Sequence, residues 1–409
     1  MKKTSLIALA GILVLSVVLT GCHKEEPDRT SFDRVMVYYG MAFNNLNPMM
    51  SEDITQNLFY GDLPRKNDPQ ALFVFYHGTA VNYEYSVENP AYLYRVYRDK
   101  DDKTVRDTIK VYDKTVISAS ASTLKDALST LKSKYSSDSY GLVISSHATG
   151  WLPADTPKSG KSKAGIAQNT VGAQYHGSSA NKSEIDIKDF ARAIPFKLDY
   201  IAFDCCLMGC IEVAAELKGV CDRILFSPTE ILTDGFDYKK LVGRLLLSPT
   251  IDLKGAALDY YNYYIKASSS AYATATLVRS DKVDAVASVM ASIISAHRTE
   301  LTALEQGTRN VQPYFYSSSP VVKCFYDMRD IAVKIGATAE ELGRLDAALG
   351  EFIEYEVHTD SFFDLKLNGS DGKSLVCGVS MYLPASKWPE MNTYYTGLSW
   401  NNSVKVIDK

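Results

Sequence analysis

"YGLVISSHATGW" (residues 140–151) and "LDYIAFDCCLMGC" (198–210) decide how this chain is read. Each starts as a short run of apolar, β-branched and aromatic residues and stops abruptly in polar or reactive ones. The runs are continuous rather than alternating, as strands buried on both faces of a parallel sheet should be. Three more stretches have the same character: "RVMVYYG" (34–40), "ALFVFYHG" (71–78) and "RILFSP" (223–228). Amphipathic segments lie between them. "STLKDALSTLKSKY" (122–135) opens on Ser122 and sets Leu124, Leu128 and Leu131 on one helical face. "SEIDIKDFARAI" (183–194) turns Ile185, Ile187, Phe190, Ala191 and Ile194 inward. Cys206 to Leu217 is expected to carry the fourth strand straight into a helix. Strands alternating with helices predict an α/β fold with a mostly parallel central sheet covered on both faces, an α/β/α sandwich.

Open parallel sheets act at the carboxyl ends of their strands. Here the third strand runs into Ser145-Ser146-His147 and the fourth into Asp204-Cys205-Cys206. If the two strands are neighbours, His147 faces one of the two cysteines. A thiol attacks only as thiolate, and a helix N-terminus or a nearby imidazole lowers its pKa toward that state. Three other readings stand beside this one: a structural histidine, a cysteine serving as a small apolar filler, and a zinc site from Cys205, Cys206, Cys210 and His147, for which CCxxxC is an unusual spacing.

The N-terminus speaks to location. Lys2 and Lys3 precede an apolar stretch, Leu6 to Leu19, too short to span a membrane comfortably. It ends in "LTGC", the lipobox pattern of a bacterial lipoprotein signal, so residues 1–21 are expected to be removed and Cys22 acylated. Residues 22–32 are charged, contain Pro27, and read as a tether. Lys24-Glu25-Glu26 resembles an export tag for the outer membrane. The formal net charge is −4, more negative once two lysines leave with the signal, which argues against nucleic acid as a partner. Six further cysteines, at 205, 206, 210, 221, 324 and 377, are too bunched for a disulfide scaffold and are expected mostly free.

Residues 33–240 form the expected core and 241–409 a more helical region, amphipathic over 252–268, 282–304 and 338–357, with strands returning at 273–281 and 375–384. Residues 80–115 alternate apolar and charged side chains, as in a hairpin beside the sheet. Residues 152–182, rich in Pro, Gly, Ser and Lys, read as a long irregular loop.

The two opening motifs, with the cysteine pair's Cys206 lying 59 residues after His147, resemble the clostripain family of cysteine peptidases, whose fold is caspase-like. That family has one strand ending in Ser-His-Gly-x-Gly-Trp and another in Phe-Asp-x-Cys-Leu-Met. "VYYGMAFNNLN" (37–47), "STLKDAL" (122–128), "FYDMRDIA" (325–332), "CGVSMYLP" (377–384) and "YYTGLSW" (394–400) are similar to further family landmarks, in order along the mature chain. The resemblance implies an endopeptidase with Cys206 as nucleophile and His147 as general acid/base, working as a dyad. It implies an oxyanion hole from the backbone N–H groups of Cys206 and Ala148. Asp204 matches an acidic residue of the S1 pocket that selects Arg or Lys at P1, although an Asp there could also cap a helix. Glu230 and Asp234, in "SPTEILTDGFDY", are further pocket candidates. No cofactor is implied as required, while some relatives use Ca²⁺. Relatives can also cut themselves in the loop after the His strand, which makes Lys158, Lys161 and Lys163 candidate autocleavage sites. One departure stands out: Ala148 replaces the family's Gly. If that position needs positive φ, the change costs roughly 1 kcal/mol, and the alternative is a catalytically silent surface binding lipoprotein on the same fold.

Overall fold

The computed structural model describes residues 28–154, 171–267, 272–304, 310–319 and 323–408. Cys22, Lys158, Lys161 and Lys163 lie outside them. Nine strands build the main sheet: β1 (Arg34–Ala42), β2 (Gln70–Gly78), β3 (Tyr92–Arg98), β4 (Thr104–Val111), β5 (Tyr140–Ser145), and, after a separate hairpin of β6 (Val171–His176) and β7 (Ser178–Ile185), β8 (Leu198–Asp204), β9 (Cys221–Phe226), β10 (Thr274–Arg279) and β11 (Ile353–His358). Their order across the sheet is β11-β10-β9-β8-β5-β1-β2-β3-β4. The five central strands, β9 to β2, run parallel, and an antiparallel pair closes each edge.

The sequence reads as unbroken apolar runs because both faces are buried. Val37, Tyr39, Leu142, Ile144, Ile201 and Phe203 enter one core cluster. Their neighbours Met36, Tyr38, Val143, Tyr200 and Ala202 enter the other. Helices α1 (Ala121–Lys134), α2 (Ile187–Ala193), α3 (Ile211–Glu216) and α5 (Val283–Ala296) contribute to the first, and α4 (Leu253–Ala267) to the second. This is the α/β/α sandwich expected. Among the described residues no helix is long and apolar enough to cross a membrane.

Four local expectations are corrected. Helix α1 is capped by Ser120, whose Oγ accepts from Thr123 N–H at 3.2 Å, rather than opening at Ser122. Residues 183–185 belong to β7, and α2 starts after Asp186, which caps it. The end of the predicted irregular loop is a real hairpin, β6–β7, broken by register shifts that its polar composition concealed. The helix Ala339–Phe352 gives way to β11, so 353–357 are sheet, not helix.

Candidate active site

Strands β5 and β8 are direct parallel neighbours, with Ser145 opposite Asp204. His147 and Cys206 therefore leave the sheet side by side, each two residues past a paired position, on strands separated by about 4.8 Å. The expected helix does not begin at the cysteine. Residues 205–209 form a turn instead, with Leu207 at φ +61°, and α3 begins only at Ile211 with Cys210 as its N-cap residue. The turn is held by Leu207 N–H donating to Thr229 O at 2.8 Å and Gly209 N–H donating to Ser227 O at 2.7 Å. Gly209 is required, because a Cβ there would lie 2.4 Å from the Pro228 backbone nitrogen. A left-handed Leu is strained, and such strain persists only where surrounding structure enforces it, often at functional sites.

The environment of the thiol follows from that turn. Cys205 is buried in the first core cluster, its Sγ 3.5 Å from Ile144 O, while Cys206 packs at the edge of that cluster, its Sγ accepting from Ile231 N–H at 3.3 Å and lying 3.6 Å from Ile231 O. The two sulfurs diverge, and all six described cysteines are free. Without a helix N-terminus beneath it, Cys206 gains no dipole support. Burial pushes its thiol up to about 12, with the Glu230 carboxylate adding to the rise. Burial also draws His147 down to about 4, helped by the Lys182 charge. Both shifts favour the uncharged forms, a thiol at Cys206 and a neutral imidazole at His147. His147 Nε2 lies 2.7 Å from Asn45 Oδ1, in the "NNLN" turn after β1.

Ala148, the departure from the family pattern, is not among the described residues with positive φ, whereas Gly150 is, at +63°. Alanine therefore meets no left-handed penalty at 148. Leu207 N–H is committed to Thr229, which leaves Cys206 N–H and Ala148 N–H as the candidate oxyanion donors. Trp151 is fully buried against Tyr382 and Tyr395, with ring centroids 4.8 and 4.9 Å away, so the C-terminal motifs pack directly under the histidine loop.

Asp204 caps no helix. It is 8 % exposed, its Oδ2 accepting from Ser145 Oγ at 3.0 Å and from the Tyr238 hydroxyl, while Oδ1 is buried without a hydrogen-bond partner. Burial raises its pKa to about 6, and the Tyr238 and Ser145 hydroxyls keep it from rising further. Gly235, at φ +60°, closes over the carboxylate so tightly that a Cβ would sit 2.5 Å from Oδ2. A second buried acid, Asp53, follows directly on the short helix Asn47–Glu52. Burial and then the Asp204 charge lift it to about 8. Nothing in the sequence around Asp53 singles it out. Asp234 sits at the exposed rim, accepting from the Tyr263 hydroxyl at 3.3 Å. Glu230 does something else: it accepts from Ser319 Oγ at 2.6 Å and from Tyr316 OH at 3.4 Å, anchoring the segment that runs beside the thiol. Among the described residues no group of three or more His, Cys, Asp or Glu side chains is arranged to hold a metal ion.

A sequence profile described as the clostripain family, peptidase C11, matches residues 38–361. The chain belongs to the clostripain family. It is thus a cysteine peptidase, a hydrolase of the C11 type. Several solved structures match almost end to end, two of them as follows. One is a secreted C11 cysteine protease from Bacteroides thetaiotaomicron in complex with an irreversible peptide inhibitor, 21% identical, covering 91% of this chain and 99% of that one with a TM-score of 0.72. The other is an inactive zymogen C11 protease from Parabacteroides distasonis, 25% identical, covering 93% and 99% with a TM-score of 0.70. These likenesses establish the clostripain, caspase-like fold across the described sheet and its C-terminal extension. A search of curated proteins returned no match.

Proposed function

We propose that this clostripain relative is an endopeptidase that cleaves after Arg or Lys, with Cys206 as nucleophile and His147 as proton carrier. The observation that carries the specificity is Asp204: a buried carboxylate with one unpartnered oxygen, two residues before the thiol on the same strand end. A cationic P1 side chain would satisfy that oxygen with a charge-assisted hydrogen bond, and Asp53 and Asp234 would add negative potential. Substrate binding brings the scissile carbonyl to the thiol. The thiol proton passes to His147 as sulfur bonds to the carbonyl carbon, and the carbonyl electrons move onto oxygen, held by the N–H groups of Cys206 and Ala148. Collapse expels the amine, which leaves with the proton from the imidazolium. Water, losing its proton to His147, then opens the thioester and restores the thiol. The neutral resting pair supports a proton transfer concerted with attack, not a preformed ion pair. The normal backbone at Ala148 favours this reading over a silent binding protein.

We further propose that Cys22 carries a lipid anchor to the cell envelope, at the outer membrane, and that processing occurs at Lys158, Lys161 or Lys163. No cofactor is needed in this scheme, and Ca²⁺ would act only as an accessory. The deciding experiment is hydrolysis of fluorogenic Arg, Lys and uncharged P1 peptides by residues 23–409, beside Cys206→Ala, with and without Ca²⁺. Cleavage after Arg and Lys that vanishes in the variant is expected. Cleavage that persists in Cys206→Ala would overturn the assignment. Fatty-acid labelling lost in Cys22→Ala, and an intact mass below full length lost in Lys→Gln variants, test the anchor and the processing.

A further inference from the structure

We propose that Asn45 and Tyr175 are the positioning residues of the general base, fixing the His147 tautomer that leaves Nδ1 to receive the thiol proton. The inference rests on the Cys206–His147 reading above and adds to it a third and fourth member brought from distant parts of the chain.

The geometry is specific. Asn45 Oδ1 lies 2.7 Å from His147 Nε2 and accepts from the Tyr175 hydroxyl at 2.9 Å. An amide oxygen has two lone pairs and no hydrogen, so it takes both as donors. Nε2 therefore carries the proton of the neutral imidazole, and Nδ1 carries the lone pair. The Tyr175 ring also lies nearly parallel to the imidazole, 14° between planes and 6.3 Å between centroids, which limits rotation of the base. Tyr85 braces Tyr175 in turn, edge-on at 5.0 Å.

The acceptor is itself held rigidly. Its neighbour Asn44, fully buried, donates through Nδ2 to Met41 O at 2.9 Å and Ala173 O at 2.8 Å, while its Oδ1 accepts from Leu46 N–H at 2.8 Å. Tyr175 N–H donates to Phe43 O at 2.8 Å, and Gly172 N–H to His147 O at 3.0 Å. The end of β1, the β6 strand and the histidine loop thus form one clasp around the imidazole. A loosely tethered Asn on a surface turn would not need that framework.

The chemistry follows. When Nδ1 takes the thiol proton, the imidazolium keeps its Nε2–H on a neutral oxygen, which strengthens as a charge-assisted bond without an anion forcing early protonation. The titratable neighbours on the other elements are Tyr175 and Lys182 of the hairpin and Cys206 of the next strand.

The test is steady-state kinetics and the pH profile of kcat/KM on an Arg substrate for Asn45→Ala, Asn45→Asp and Tyr175→Phe, with Cys206→Ala alongside. Asn45→Ala should lower kcat by about 100-fold with little change in KM, the cost of a misplaced reacting group. Asn45→Asp should recover part of kcat and move the acidic limb to higher pH, since a carboxylate stabilises the imidazolium. Tyr175→Phe, which keeps the ring, should lose kcat several-fold. Wild-type kcat and an unmoved acidic limb in all three, with Cys206→Ala inactive, would overturn the proposal while leaving the dyad intact. Activity in Cys206→Ala would instead remove the dyad. Should Asn45→Ala misfold by circular dichroism, Tyr175→Phe and Asn45→Asp decide alone.

Discussion

Replacing Asp204 by Asn should make the protein more stable and less able to cut, and the two effects can be separated. The amide keeps the carboxylate's shape, and the Ser145 and Tyr238 hydroxyls still find an oxygen acceptor. What disappears is a buried charge. The folded-state pKa of Asp204, about 6, exceeds its reference value of 3.8. The native state therefore holds the proton longer than the unfolded chain, and stability falls as pH climbs from 4 to 6. Above pH 6 that deficit amounts to about 3 kcal/mol, which Asn removes, so the thermal midpoint at pH 8 should rise by a few degrees. Catalysis moves the other way. A charge-assisted bond to a basic P1 group is worth about 3 kcal/mol in a desolvated pocket, or about two orders of magnitude in kcat/KM for Arg and Lys substrates. Substrates with uncharged P1 should change little. The assay is kcat/KM for matched Arg, Lys and uncharged peptides, normalised to the thiol titrated by an irreversible peptide inhibitor, with thermal melts at pH 5 and 8. An unchanged ratio of basic to uncharged cleavage in Asp204→Asn would refute the pocket reasoning, whatever the melts gave.

Asp53 should share this titration: with its carboxyl raised to about 8, wild-type kcat/KM on an Arg substrate should climb from pH 6 to 8 as negative charge accumulates, and Asp53→Asn should flatten the upper part of that rise. Gly235→Ala should raise KM for basic substrates selectively, because the new Cβ meets Asp204 Oδ2 at 2.5 Å and the +60° backbone adds roughly 1 kcal/mol of strain; parallel kinetics on an uncharged peptide check this. Glu230→Gln removes a charge that raises the Cys206 pKa and weakens the anchor on Ser319, so iodoacetamide should alkylate the thiol a few-fold faster at pH 8, a rate followed by intact mass.

Much of the proposed site's placement was legible in the sequence because it is local. The strands, the positions of His147, Asp204 and Cys206 at strand ends, and the burial of the sheet on both faces all follow from runs a few residues long, where apolar character gives way to polar within one or two positions. The family landmarks added the pairing of the two motifs, which the parallel register of β5 and β8 then made physical. The errors were equally local. A polar, bulged hairpin at 171–185 lacks the apolar period that betrays a strand. At Leu207 a left-handed residue stops a helix that the Leu-Met-Gly-Cys pattern would allow to begin at Cys206.

What tertiary structure alone decided is the company each reactive group keeps. Asn45 and Tyr175 stand 130 residues apart, yet the Asn45 amide oxygen accepts from the Tyr175 hydroxyl and from His147 Nε2 together. Asp53 and Tyr238 reach Asp204 from opposite sides of Cys206 in sequence. Glu230, acidic and near the thiol, serves as an anchor for Ser319 because a loop 89 residues later crosses it. The sequence by itself determined which residues can react, since residue type and strand-end position are encoded within short segments. Protonation, orientation and charge were decided only by the fold, because desolvation and hydrogen-bond partners depend on segments that the chain brings together from far apart.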